Sequence, residues 1–130
     1  MAQVYPFRAL RFSISRIPVD KVVTQPYDKI SKEMQDRYYA SHPNNIVRIV
    51  LGKADAADSP KNNVYTRAAA TMEEWRSDGV LESLDAPAFF VYFQRFTIPG
   101  TADVQIRKGF IGISRLEDYA NKVVFLMKRP

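Results

Sequence analysis

Two kinds of apolar pattern run along the chain: short β-branched or aromatic runs, and stripes of helical period. Val4 to Phe12 reads as an extended segment in which Tyr5, Phe7 and Leu10 cover a core edge. Pro6 has no N–H and excludes a central ladder position there. Ser13 to Val19 reads as a loop closed by Pro18, and Lys21-Val22-Val23-Thr24 as a brief strand. Ile30, Met34 and Tyr38 then recur at helical spacing. Ser31 is a good N-cap and Glu33 suits the first turn, so the pattern predicts a helix over about 32–40. His42-Pro43-Asn44-Asn45 stops it, because Pro43 drives the preceding residue out of the α region.

Ile46 to Leu51 is apolar apart from Arg48 and rich in β-branched residues, which predicts a strand inside the sheet, ended by Gly52. A polar loop from Lys53 leads to Ser59-Pro60, a strong helix start. The second helix is expected over about 60–78, with Val64, Ala68, Met72 and Trp75 as its buried stripe and Gly79 in the left-handed position after it. Ala88 to Thr97 is a strand aromatic on both faces. Ile98-Pro99-Gly100-Thr101 turns it, and Val104 to Ser114 returns, with Gly109 and Gly112 as points of close approach or a bulge. Leu116 to Tyr119 reads as one helical turn, and Lys122 to Phe125 begins a last strand. The elements predict an α+β fold: a mixed, mostly antiparallel sheet with a long hairpin (about 88–114) and two main helices. No repeat or linker composition interrupts residues 1–130, which read as a single domain.

Composition narrows the function classes. At 130 residues, 46% hydrophobic and 25% charged, the chain has the balance of a folded domain. No apolar run approaches the roughly 20 residues of a membrane span. The absence of cysteine excludes disulfides and suits a reducing cytoplasm, and no secretory leader pattern opens the chain. The net charge of +5 comes from scattered Lys and Arg rather than a stripe interleaved with aromatics. This disfavours nucleic acid as partner and suits attraction of a phosphorylated metabolite.

Candidate chemistry is sparse. One histidine, His42, and no cysteine support no zinc or iron site, carboxylates suit magnesium or calcium better, and the Asp residues form no D-x-D-x-D-G loop. His42 precedes a proline in a loop, where a solvated or helix-capping role competes with a catalytic one. The five glycines form neither a dinucleotide nor a P-loop signature, and no G-x-S-x-G or partnered serine is found. What remains is Gln25-Pro26-Tyr27-Asp28-Lys29-Ile30-Ser31 and Asn44-Asn45-Ile46-Val47-Arg48. In the first, either Pro26 sets a turn with Asp28 bonding nearby N–H groups, or Tyr27 and Asp28 face a ligand beside the helix start at Ser31. In the second, Arg48 within an apolar run must reach solvent, pair, or face a ligand pocket.

Three segments in register carry a family resemblance: Tyr5-Pro6-Phe7-Arg8-Ala9-Leu10, Gln25 to Ser31, and His42-Pro43-Asn44-Asn45-Ile46-Val47-Arg48. They resemble the P-F-R-A-L, P-P-Y-D-V-I-S and N-P-x-N-x-x-R motifs that open a prokaryotic family carried as a domain of unknown function. Glu74-Trp75 with Gly79-Val80-Leu81 is similar to its E-x-W-x-x-x-G-V-L helix. Phe90-Val91-Tyr92, Lys108 to Gly112 and Leu116 to Tyr119 are similar too. Family members run to roughly 400 residues, more than one typical domain. Where they continue into H-E-x-T, this chain reads Leu126-Met127-Lys128-Arg129-Pro130. Their later D-G-H-H-R-Y-x-T motif, which looks like the G-E-R-R segment of ParB-like proteins, lies beyond Pro130. The chain is therefore expected to be a truncated gene product or an N-terminal fragment; residues 126–130 are either a native tail or the result of a shifted frame after Phe125.

The resemblance implies a ParB-like, nucleotide-dependent phosphotransferase acting on a small hydroxylated metabolite such as serine. A nucleotide with Mg2+ would serve the full-length protein, and the fragment itself would be inactive. In that reading Asp28 orients a metal, hydroxyl or ribose, Arg48 stabilises phosphate charge, the helix start at Ser31 adds N–H donors, and Tyr27 and Asn45 complete the ligand contacts. The alternatives are a non-catalytic module that senses nucleotide or metabolite or touches DNA, and a fragment without activity that self-associates through its exposed hairpin.

Overall fold

The computed structural model describes residues 1–124. In chain order its elements are β1 (Val4–Tyr5), β2 (Leu10–Phe12), α1 (Val19–Val22), α2 (Lys32–Ser41), α3 (Val47–Val50), α4 (Val64–Ser77), β3 (Leu81–Ser83), β4 (Phe90–Thr97), β5 (Val104–Ile111) and β6 (Ile113–Ser114). Short 3-10 turns occupy Tyr27–Lys29 and Tyr119–Asn121. The class is α+β, but the expected mixed sheet is three separate two-stranded antiparallel ribbons among the described residues: β1 with β6, β2 with β3, and β4 with β5. No described helix is long and apolar enough to cross a membrane. The backbone divides into two compact units, a helical one over Leu10–Ser83 and a ribbon one formed by Met1–Ala9 with the chain from Leu84 on.

In the helical unit, capping side chains set where the two long helices begin. Ser31 Oγ accepts from Met34 N at 3.2 Å and opens α2, as its sequence predicts. The second helix starts later than Ser59-Pro60. Those residues close a small loop, with Ser59 N donating to the Asn62 carbonyl, and Asn63 caps α4. Asn63 Oδ1 accepts from Tyr65 N and Thr66 N, while Thr66 Oγ1 accepts from Asn63 N: a reciprocal capping box. Gly79 takes the left-handed conformation at φ +68°, as the helix end requires. Trp75 is buried and meets Phe12 of β2 at 5.8 Å between ring centroids. Val64 and Ala68 are half-buried, whereas Met72, expected in the stripe, is exposed and Thr71 takes its place.

Two expected strands are helical turns. Pro18 precedes α1, and Lys21 N bonds the Pro18 carbonyl. The carbonyls of Lys21 and Val22 are then taken by Ser41 Oγ, Asn45 Nδ2 and Ile46 N, which leaves no sheet ladder for Lys21–Thr24. At Ile46–Leu51 the reason is tertiary. Asn45 Oδ1 accepts from Val47 N at 3.0 Å, Ile46 has helical torsions, and Val50 N and Leu51 N bond back to Ile46 and Val47. α3 packs against both α2 and α4. A short run buried from several sides is apolar all round whether it is helix or strand, so its pattern does not distinguish the two. Val22 and Val47 are fully buried and, with Trp75 and Leu81, make the core.

In the ribbon unit, β4 and β5 form the expected long hairpin, with Phe90 opposite Ile111 through Thr97 opposite Val104. Its loop is closed by Ile98 N to the Asp103 carbonyl and Thr101 N to the Ile98 carbonyl. Gly112 separates β5 from β6 at a close approach. A Cβ there would meet the Phe89 ring at 3.0 Å and the Tyr5 carbonyl oxygen at 3.2 Å. Phe7 bridges to Ala88 and packs edge-on against Phe90 at 5.2 Å. The helical turn expected at Leu116–Tyr119 falls instead at Tyr119–Asn121, where Asp118 accepts from Ala120 N. Lys122 follows with φ +54°, and Lys122–Val124 is not a strand. Phe125–Pro130, with the unusual tail, lies outside the described residues.

Candidate functional site

Of the five residues proposed from sequence, three stand on the turn into α2. Pro26 carries the chain into the 3-10 turn Tyr27–Lys29, closed by Lys29 N to the Pro26 carbonyl. Tyr27 is 66% exposed and Asp28 is exposed too, with no hydrogen bond to the Asp28 carboxylate among the described residues. The Asx-type bond that would explain Asp28 as a turn residue is therefore not made. Ser31 uses its hydroxyl as the α2 cap. It also borders a hollow of about 410 Å³ with Gln35, Gly52 and Lys53, which Tyr27 and Asp28 do not line.

Asn45 and Arg48 follow the C-terminal end of α2. Asn45 is fully buried. Its Nδ2 donates to the Lys21 carbonyl at 2.8 Å and to Ser41 Oγ at 3.2 Å, and its Oδ1 accepts from Val47 N. That amide joins α1, α2 and α3 and is closed off from solvent. His42 is equally local: its Nδ1 accepts from Asn44 N at 3.0 Å, the loop-capping role.

Arg48 differs from all of these. Its guanidinium lies over the Tyr39 ring, 4.4 Å from the centroid, and Nη2 donates to the Tyr39 carbonyl at 3.1 Å. Nη1 is buried without a hydrogen-bond partner. An unpaired buried donor on a charged group is costly, and native structures rarely tolerate one without a reason. The cavity beside it, about 290 Å³, is lined by Tyr39, Arg48, Gly52, Lys53, Val64, Arg67 and Thr71.

The two other cations are held by carboxylates. Arg67 makes a two-pronged pair with Asp58, Nη1 to Oδ1 at 2.6 Å and Nη2 to Oδ2 at 3.3 Å, and Nη2 also donates to the Lys53 carbonyl. This bond pulls the Asp58 carboxyl below its ordinary pKa and pushes the Arg67 guanidinium up. Lys53 pairs with Asp36, and that bond lowers the Asp36 pKa. Lys53 Nζ also sits 4.8 Å from the Tyr39 ring centroid, so two cations lie against Tyr39. With Asp36 on Lys53 and Asp58 on Arg67, Arg48 is the lining cation without a carboxylate partner among the described residues. A planar guanidinium with a free N–H edge, backed by Lys and Arg, is suited to a carboxylate or phosphate.

Sequence reading missed Tyr39, Lys53, Arg67 and Thr71. One signal was available: Arg67 and Thr71 follow Val64 by three and seven residues, which puts a charge and a hydroxyl on the stripe that ends at Trp75. Lys53, just after Gly52, carries no such signal. No group of three or more His, Cys, Asp or Glu positioned for a metal occurs among the described residues, and Asp36 and Asp58 are occupied by cations. This donor set does not fit a bound Mg2+, so no step is assigned to one.

A cationic cavity on a small α+β scaffold defines the class only as a candidate anion binder. The chain itself belongs to the family described as Protein of unknown function (DUF1015), whose model matches residues 4–126. No curated protein and no solved structure matches it.

Proposed function

We propose that this chain binds a phosphate-bearing small molecule in the cavity beside Arg48. The observation that carries the reading is the buried, unpartnered Nη1 of Arg48, a residue that lines the cavity together with Lys53 and Arg67. Phosphate oxygens satisfy that donor and spread their charge over Lys53 and Arg67, while the Tyr39 ring holds the guanidinium plane. The finer form of the proposal is nucleotide-dependent phosphoryl transfer to a small hydroxylated metabolite such as serine, in a ParB-like protein longer than this chain. There Arg48 stabilises phosphoryl charge.

Calorimetric titration with ATP, phosphoserine and inorganic phosphate at low ionic strength tests the binding reading. At least one of them is expected to bind. Arg48→Gln should weaken it by about tenfold or more, the scale of a lost charge-assisted bond, while the far-UV spectrum is unchanged. Failure of all three to bind, or equal binding by Arg48→Gln, refutes the proposal. Salt-dependent DNA binding that survives Arg48→Gln supports the DNA-associated alternative instead.

A further inference from the structure

We infer that the β4–β5 ribbon is a docking surface for an acidic, apolar polypeptide segment that joins it as an added strand. The inference rests on the ribbon unit alone and is independent of the Arg48 cavity. Cross-strand register places Val91 with Phe110, Phe93 with Lys108, and Arg95 with Ile106 on one face. Val91 is 70% exposed, Phe110 65%, Phe93 63% and Ile106 58%. An isolated two-stranded hairpin is marginal in water, and an apolar face left open marks an interaction surface.

Three features select the occupant. First, the sheet contains only these two strands among the described residues, so each eight-residue strand has an outer edge outside the ladder. Another polypeptide backbone matches that repeat of N–H and C=O groups; a lipid or a nucleic acid does not. Second, neither strand carries a carboxylate. Arg95 and Lys108 stand within the apolar face without an acidic partner among the described residues. A second copy stacked on this face would bring like charges into one apolar layer, which disfavours it. A strand carrying Glu or Asp at alternate positions meets them instead. Third, Val4, Phe89 and Phe110 line a wholly apolar hollow of about 310 Å³, room for one large apolar anchor.

The test uses the whole chain and a fluorescein-labelled nine-residue peptide of alternating Val and Glu, followed by anisotropy at low salt. Saturable binding is expected, and Arg95→Glu with Lys108→Glu should weaken it by about tenfold or more. Hydrogen exchange on the unaltered chain should show new protection along one edge of β4 or β5 when the peptide is added. That readout does not depend on the variant keeping its fold. The inference is overturned if no binding occurs up to millimolar peptide, if a Val–Lys peptide binds as well, or if protection appears elsewhere. It is also overturned if sedimentation shows a ribbon-mediated dimer, or if anionic vesicles or single-stranded DNA occupy the same face and the peptide does not.

Discussion

The helical unit and the ribbon unit use their apolar residues in opposite ways. Every buried residue among those described, Ser13, Val22, Asn45, Val47, Trp75 and Leu81, lies in the helical unit. The ribbon unit has none, although Phe89, Val91, Phe93, Ile106 and Phe110 all belong to it. The difference follows from backbone chemistry. A helix satisfies its own N–H and C=O groups and needs only one covered face, so four short helices can enclose Val22 and Val47. A two-stranded ribbon has two faces and two edges, and the chain that forms it covers little of either.

Equal insults to the two units should therefore have unequal effects. Trp75→Ala removes the largest core side chain and should destabilise the helical unit by about 3–5 kcal/mol. Val91→Ala on the ribbon should stay within about 0.5 kcal/mol. Urea denaturation of both variants checks this, and similar losses would break the comparison. Asn45→Ala should come next, at about 1–3 kcal/mol, because it strands buried partners on α1 and α3. Asn45→Asp should not rescue it, since the Lys21 carbonyl needs a donor.

The smallest effect is a pH dependence confined to the helical unit. Asp36 and Asp58 titrate below their ordinary values because Lys53 and Arg67 bond their charged forms. Their contribution to stability is therefore fully present above the unfolded carboxylate pKa, about 3.9, and is lost as pH falls through the lower folded values. Both groups are solvent-accessible, so the effect is modest and screened by salt. NMR titration of the Asp carboxyls should find both below free aspartate, and Asp58→Asn should flatten the acid limb of the stability curve. An Asp58 that titrates like free aspartate would remove the electrostatic picture of the cavity.

Elements defined by near-neighbour chemistry were legible in the residues. Ser31 before Met34 specifies the start of α2, and Gly79 the end of α4. Pro99-Gly100 between two aromatic and β-branched runs specifies the hairpin, because each signal acts within a few residues of the group it satisfies. The start of α4 was misplaced because two polar caps, Ser59 and Asn63, compete within five residues, and the reciprocal bonds with Thr66 settle it for Asn63.

Arg48 marks the boundary between local and distant causes. Its presence in an apolar run already required a partner, a route to solvent or a pocket. Which of these holds depended on α3 being helical, and that depended on Asn45 reaching the Lys21 carbonyl 24 residues away. In this turn of helix Arg48 lies over Tyr39, keeps Nη1 buried without a partner, and lines a cavity with Lys53 and Arg67. Short apolar runs are degenerate in their local preference. Contacts distant in sequence choose among their conformations, and at Ile46–Leu51 that choice creates the candidate site.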